Sequence, residues 1–173
     1  MSLEQYRQGL DDLLNRLRDQ ERLEAIPKSE YQVKQLLEVA YTNVERTRFL
    51  LVDRATDYDW HVATLWGAVV EASKAALASY GWRIKGAEGV HGDLTRAAAY
   101  ILAPTQPDAA RSLMDVAADW LSLRNKIKYE RRGVVGKATR DDIILKAEAI
   151  LRALSTVSSA AVGAAPRLRR LVH

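Results

Sequence analysis

Leu113-Met114-Asp115-Val116-Ala117-Ala118-Asp119-Trp120-Leu121-Ser122-Leu123-Arg124-Asn125-Lys126-Ile127 is the stretch on which the fold turns. Leu113, Val116, Ala117, Trp120, Leu121, Arg124 and Ile127 recur at intervals of three and four, the spacing that lines one face of an α-helix. Asp108 upstream is a natural helix cap, and Gly133 downstream is a natural stop. The segment therefore reads as one long helix with a single apolar stripe. Such a stripe is stable in water only when other elements cover it.

Those elements are also helical. The stretch from Thr139, with Asp142 three residues on, carries Ile143, Ile144, Ala147, Ile150, Leu151, Leu154 and Val157 in the same rhythm. Asp93 to Leu102 reads as a short helix closed by Pro104, and Gly81 to Gly92, with four of the nine glycines, reads as a loop. Asp57 or Asp59 caps a third long helix through Val62, Leu65, Trp66, Val69, Ser73, Ala76 and Leu77, running to about Tyr80. Small residues crowd its stretch Gly67 to Ala78, which lets a neighbouring helix approach closely. Ser29 followed by Gln32 has the form of a capping box for a helix with Val33, Leu36, Leu37, Ala40, Val44 and Leu51 on its core face. At the start, Leu3, Leu10 and Leu17 stand seven apart with Tyr6 and Leu13 between them, a narrow seam that needs a partner. That partner is either the body of the domain or a second copy.

No run alternates apolar and polar residues as a strand would. The prediction is all-α: an antiparallel four-helix bundle, with an inserted short helix and an extra N-terminal helix. Residues 1–26 form the N-terminal amphipathic helix, 29–160 the bundle, and 161–173 a flexible basic tail with Arg167, Arg169 and Arg170.

The 173 residues suit one domain, and the formal net charge is +4. With no Cys, disulfides, thiol nucleophiles and Cys-ligated zinc or iron–sulfur sites are excluded. The uncharged stretches, such as 62–70 and 155–166, are too short for a membrane span, and Met1 to Arg18 lacks an apolar signal-peptide core. We expect a cytoplasmic protein with no membrane contact. Phosphate-loop, dinucleotide-binding and nucleophile-elbow glycine motifs are absent, and the three His (61, 91 and 173) have no partners at metal-ligand spacing. We therefore expect no cofactor and no metal. His61 reads as a packing or surface residue, and His91 closes the glycine-rich loop, caps the short helix or touches RNA.

Charge is concentrated in one place. Arg124, Lys126, Lys128, Arg131, Arg132, Lys137 and Arg140 face only Glu130 between positions 124 and 140. This density attracts an anion, and a polyanion most of all through counterion release. A solvated helix end that suits the macrodipole explains the same residues equally well. Arg124 is harder to dismiss, because it falls on the apolar stripe, where a guanidinium needs a partner such as Glu71 or an interface cleft.

Arg124-Asn125-Lys126-Ile127-Lys128-Tyr129-Glu130, near the end of a long helix, resembles the signature helix of HEPN domains (higher eukaryote and prokaryote nucleotide-binding). Leu36-Leu37-Glu38-Val39-Ala40, Trp66 to Gly81, Gly89-Val90-His91 with Asp93-Leu94, and Asp141 to Leu154 are similar, in order, to that family's other elements. The resemblance covers about residues 31–157. It implies a four-helix bundle that dimerises so that two signature helices line one cleft. It also implies a setting among toxin–antitoxin and phage-defence systems, where many members are metal-independent ribonucleases. The family's catalytic pair is an Arg, followed by a polar residue, and a His a short distance further on. Arg124 and Asn125 match the first part, whereas Tyr129 stands where the His belongs. A phenol titrates near pH 10 and is a poor general base at neutrality.

The resemblance thus assigns Arg124, Asn125 and Tyr129 to the catalytic-motif positions. It makes Lys126, Lys128, Arg131, Arg132, Lys137 and His91 the RNA-binding residues. The reading is a non-catalytic, homodimeric RNA- or nucleotide-binding module. The alternatives are an endoribonuclease with a non-standard residue set, and an interaction partner of a nucleotidyltransferase-type antitoxin.

Overall fold

A computed structural model describes residues 3–49, 55–86, 90–129 and 137–163; within these, the side chains of residues 3, 55–57, 121, 124–129 and 137 lie outside the description. The order is α1 (Leu3–Asp19), β1 (Leu23–Ala25), α2 (Glu30–Phe49), α3 (Ala55–Ser79), β2 (Trp82–Ile84), α4 (Val90–Leu102), α5 (Pro107–Tyr129) and α6 (Lys137–Ala161).

Helix α3 is the axis of the molecule, packed against α2, α4, α5, α6 and β2. Its sequence requires this. From Val62 to Ala78 it buries residues on nearly every face, including Val62, Leu65, Trp66, Val69, Ala72, Ala76 and Leu77, and a helix apolar all round must be enclosed. The stripe of α5 (Ala110, Leu113, Val116 and Trp120) and that of α6 (Ile143, Ala147, Ile150, Leu151 and Leu154) are buried in the same cluster as Val33, Leu37, Ala40 and Val44 of α2. Among the described residues there are six helices, as predicted, and none is long and apolar enough to cross a membrane.

Pairs of contacts set the helix directions. Arg140 at the start of α6 reaches the carbonyl of Thr47 near the end of α2, while Ser155 later in α6 is close enough to Tyr41 earlier in α2 to influence its pKa. These two helices are therefore antiparallel. Gln106, at the head of α5, donates to the carbonyl of Ala153 at 3.4 Å, and Asp119 is close enough to raise the pKa of Lys146. Helix α5 accordingly runs back along α6 towards its first turn.

Several expectations need correction. A small antiparallel sheet is present, pairing Leu23 with Ile84, Glu24 with Arg83 and Ala25 with Trp82. Three residues a strand are too few for alternation to show in a sequence. The sheet interrupts both the predicted first helix, which turns at Glu21 (φ 56°), and the predicted loop 81–92. Arg83 Nε donates to Glu24 across the strands at 2.8 Å, and that bond holds the Glu24 carboxyl below its usual range.

Helix starts also move. Pro107 opens α5, with the Gln106 carbonyl accepting from Ala110 N, so Asp108 sits inside the first turn. Helix α3 begins at Ala55, which places Asp57 and Asp59 within the helix, not at its cap. Helix α4 begins at Val90 and α6 at Lys137, both ahead of the predicted Asp93 and Thr139. The Ser29 cap holds: its Oγ accepts from Gln32 N at 3.2 Å.

The seam of α1 is covered by the chain itself. Tyr6, Leu13 and Leu17 are buried in the common core, and α1 packs on α4 and β1. Two guanidiniums fix its far end, Arg16 and Arg22 reaching Asp93 at 2.7 and 2.9 Å. The positively charged tail after residue 163 lies outside the described residues.

Candidate nucleic-acid interface

Four helix ends meet at one end of the bundle: the last turns of α2 and α5 and the first turns of α3 and α6. Arg140 joins three of them. Its Nη2 donates to the Thr47 carbonyl at 3.0 Å, its Nε to His61 Nδ1 at 3.2 Å, and its Nη1 to Asp141 Oδ1 at 2.7 Å. The side chain is only 13% exposed, so these bonds replace the water that the guanidinium gives up.

His61 is 1% exposed, with the Tyr58 ring edge-on at 6.2 Å. To accept from Arg140, Nδ1 must keep its lone pair, which makes the imidazole neutral with its proton on Nε2. A ring so enclosed orients Arg140 and is screened from any bound polymer. Asp59, 3% exposed, lies two residues before it. Arg48 forms an ion pair with Glu148, tying α2 to α6 a second time, while Arg46 beside it is exposed.

The residues assigned from the family resemblance divide into two groups. Arg124, Asn125, Lys126, Lys128 and Tyr129 lie on the last two turns of α5 and Lys137 opens α6, but their side chains are outside the described residues. Arg131 and Arg132 are outside altogether, as is the suggested Arg124–Glu71 pairing; Glu71 itself pairs with Lys74 at 2.6 Å. Since α5 runs antiparallel to α6, the backbone at 124–125 is level with the first turn of α6, close to Arg140. The backbone positions of Arg124, Lys126, Lys128, Lys137 and Arg140 thus fall at one end of the molecule.

His91 is elsewhere. It is the second residue of α4, half-buried, with its ring edge-on to Trp66 at 6.4 Å and its carbonyl accepting from Thr95 Oγ1 at 2.9 Å. Trp66 lies five residues along α3 from His61, about 7–8 Å of helix rise away. The Trp66 Nε1, buried beside it, has no hydrogen-bond partner among the described residues.

Sequence reasoning missed the Thr47–His61–Arg140 junction, because its members are 79 and 93 positions apart and no local spacing links them. The one available signal was Arg140 itself, a cation at the head of an apolar stripe. Among the described residues, no three His, Asp or Glu side chains gather as a metal site would require. Comparison with protein-family models, with curated proteins and with solved structures gives no match for this chain.

Proposed function

We propose that this chain is a non-catalytic RNA- or nucleotide-binding module of HEPN type, acting as a homodimer within a toxin–antitoxin or phage-defence setting. The observation that carries the reading is that the backbone of 124–129 and of 137–140, the described parts of the cation-rich segment, shares one bundle end, with Arg140 held in place by Thr47, His61 and Asp141. A rigid support under a cluster of cations suits a phosphate backbone, because the ligand does not have to bear the cost of ordering them.

Cleavage is disfavoured by the residues themselves. Tyr129 stands in place of the motif His, and His61, the described imidazole nearest that end, is enclosed and already engaged.

The test is incubation of wild type and Arg124→Ala with end-labelled total and transfer RNA, without metal, on native and denaturing gels at two salt concentrations. A salt-sensitive shift, lost in Arg124→Ala and free of new fragments, is the expected result. Fragments that depend on Arg124 make the chain a ribonuclease. Absence of both makes the basic end a protein contact, and the search then moves to an antitoxin or nucleotidyltransferase partner.

A further inference from the structure

Among the described residues, six large apolar side chains are exposed: Tyr31, Val39, Phe49, Trp60, Tyr80 and Leu145. Their positions are not equivalent. Tyr31 and Tyr80 belong to the opposite end of the α2–α3 pair, and Tyr80 already has Lys28 Nζ over its ring at 5.9 Å. Val39 and Leu145 are aliphatic. The remaining two aromatics sit beside the residues that hold Arg140. Phe49, 73% exposed, is the last residue of α2, two beyond the Thr47 carbonyl that holds Arg140. Trp60, 68% exposed, immediately precedes His61, which also holds Arg140.

Leaving an indole and a phenyl in water forgoes the burial that such rings normally gain, and the neighbouring core has room for Tyr58 and His61 but turns Trp60 outward. Helix geometry explains this: His61 and Val62 face the interior, and the residue before them points away by about 100°.

We infer that Trp60 and Phe49 are stacking platforms for unpaired bases, and that the ligand of the basic end is single-stranded RNA. The inference rests on the RNA-binding reading above and adds the strand state and two residues to it. Cations attract the backbone of any nucleic acid, but a flat exposed ring gains only from a base whose face is free. In a duplex those faces are stacked on each other, so the rings would contribute nothing. Charge complementarity therefore names the polymer, and the aromatics name its form.

The experiment uses fluorescence anisotropy with labelled oligoadenylate, alone and annealed to oligouridylate, against wild type, Trp60→Ala, Trp60→Phe and Arg124→Ala. Wild type is expected to prefer the single strand. Trp60→Ala should lose about tenfold in single-strand affinity and little for the duplex, whereas Trp60→Phe should stay within about threefold of wild type. Trp60 is also the exposed indole, so its emission should be quenched by oligoadenylate, and the quench should vanish in Trp60→Phe. Unchanged thermal melts confirm that the variants fold.

Two results overturn the platform while leaving RNA binding intact: equal affinity for single strand and duplex, or a Trp60→Ala variant that binds like wild type while Arg124→Ala does not. If Trp60→Ala alters sedimentation and not RNA affinity, the rings belong to a contact between copies of the chain, and the inference fails. Wild type that binds neither probe at low salt removes the RNA reading and the platform together.

Discussion

Arg140 shows how one side chain can hold three helices. Its guanidinium is nearly enclosed, and each of its nitrogens has an acceptor on a fixed element. Arg140→Met leaves His61 Nδ1 and the Thr47 carbonyl without their donor, and we expect a loss of about 2–3 kcal/mol in urea denaturation. Arg140→Lys should recover little of it, since an ammonium cannot spread three bonds over a planar fork. Tyr41 offers a second test. Burial raises its phenol pKa, opposed in part by the nearby Ser155 hydroxyl and by Arg152. A pKa higher in the folded state means that stability is complete below the unfolded value near 10 and falls as pH rises through the folded one. The drop in melting temperature between about pH 9.5 and 11 should therefore be smaller in Tyr41→Phe than in wild type. Neither partner set was legible beforehand. Tyr41 and Ser155 are ordinary helix residues until two antiparallel helices bring them together.

Helix α1 is the element whose role the sequence left open. The sevenfold spacing of Leu3, Leu10 and Leu17 shows that one face must be covered, but it fits the chain's own body and a second copy equally well. Packing on α4 resolves this, and the resolution depends on Gly9. A Cβ there would stand 2.8 Å from Tyr100 Cζ, inside any normal contact. Alanine is worth about 1 kcal/mol more than glycine in a helix interior. Overpacking against a rigid ring costs about 1–3 kcal/mol, so the clash should win. Gly9→Ala should lower the denaturation midpoint, and the added change Tyr100→Ala should relieve the clash while forfeiting the edge-on contact of Tyr100 with Tyr6. Leu17, fully buried, provides the contrast: Leu17→Ala should cost about 2–5 kcal/mol by opening a cavity. Hydrogen exchange should then show α1 exposed ahead of α3.

Taken whole, the molecule has a modest net charge of +4, while its segment 124–140 sets seven cations against Glu130 alone. If about five cations engage a single strand, affinity should fall on the order of a hundredfold between about 50 and 200 mM salt. Anisotropy titrations at several salt concentrations measure this slope. Lys128→Ala should make it shallower without selecting among sequences, as a phosphate contact does. Segment 124–140 could be picked out by counting charges. That its described flanks, 124–129 and 137–140, belong to one bundle end could not, since it depends on α5 and α6 being antiparallel neighbours. The stripe of α3 already separated Trp66, which lies on it, from Trp60, which does not; that Trp60 and Phe49 lie beside the residues holding Arg140 was invisible, because it depends on how α2, α3 and α6 pack.

Helix number, approximate order and most of the described residues of each apolar stripe followed from composition and spacing, because helical periodicity is local and repeats over many turns. Short-range capping by Ser29 was equally readable. The two three-residue strands, the shifted helix starts, the covering of α1 and the junction at Arg140 were not. Each of these depends on which residues become neighbours after the chain has folded back on itself. Burial and pairing at long sequence separation decide them, and a periodic pattern contains no record of either.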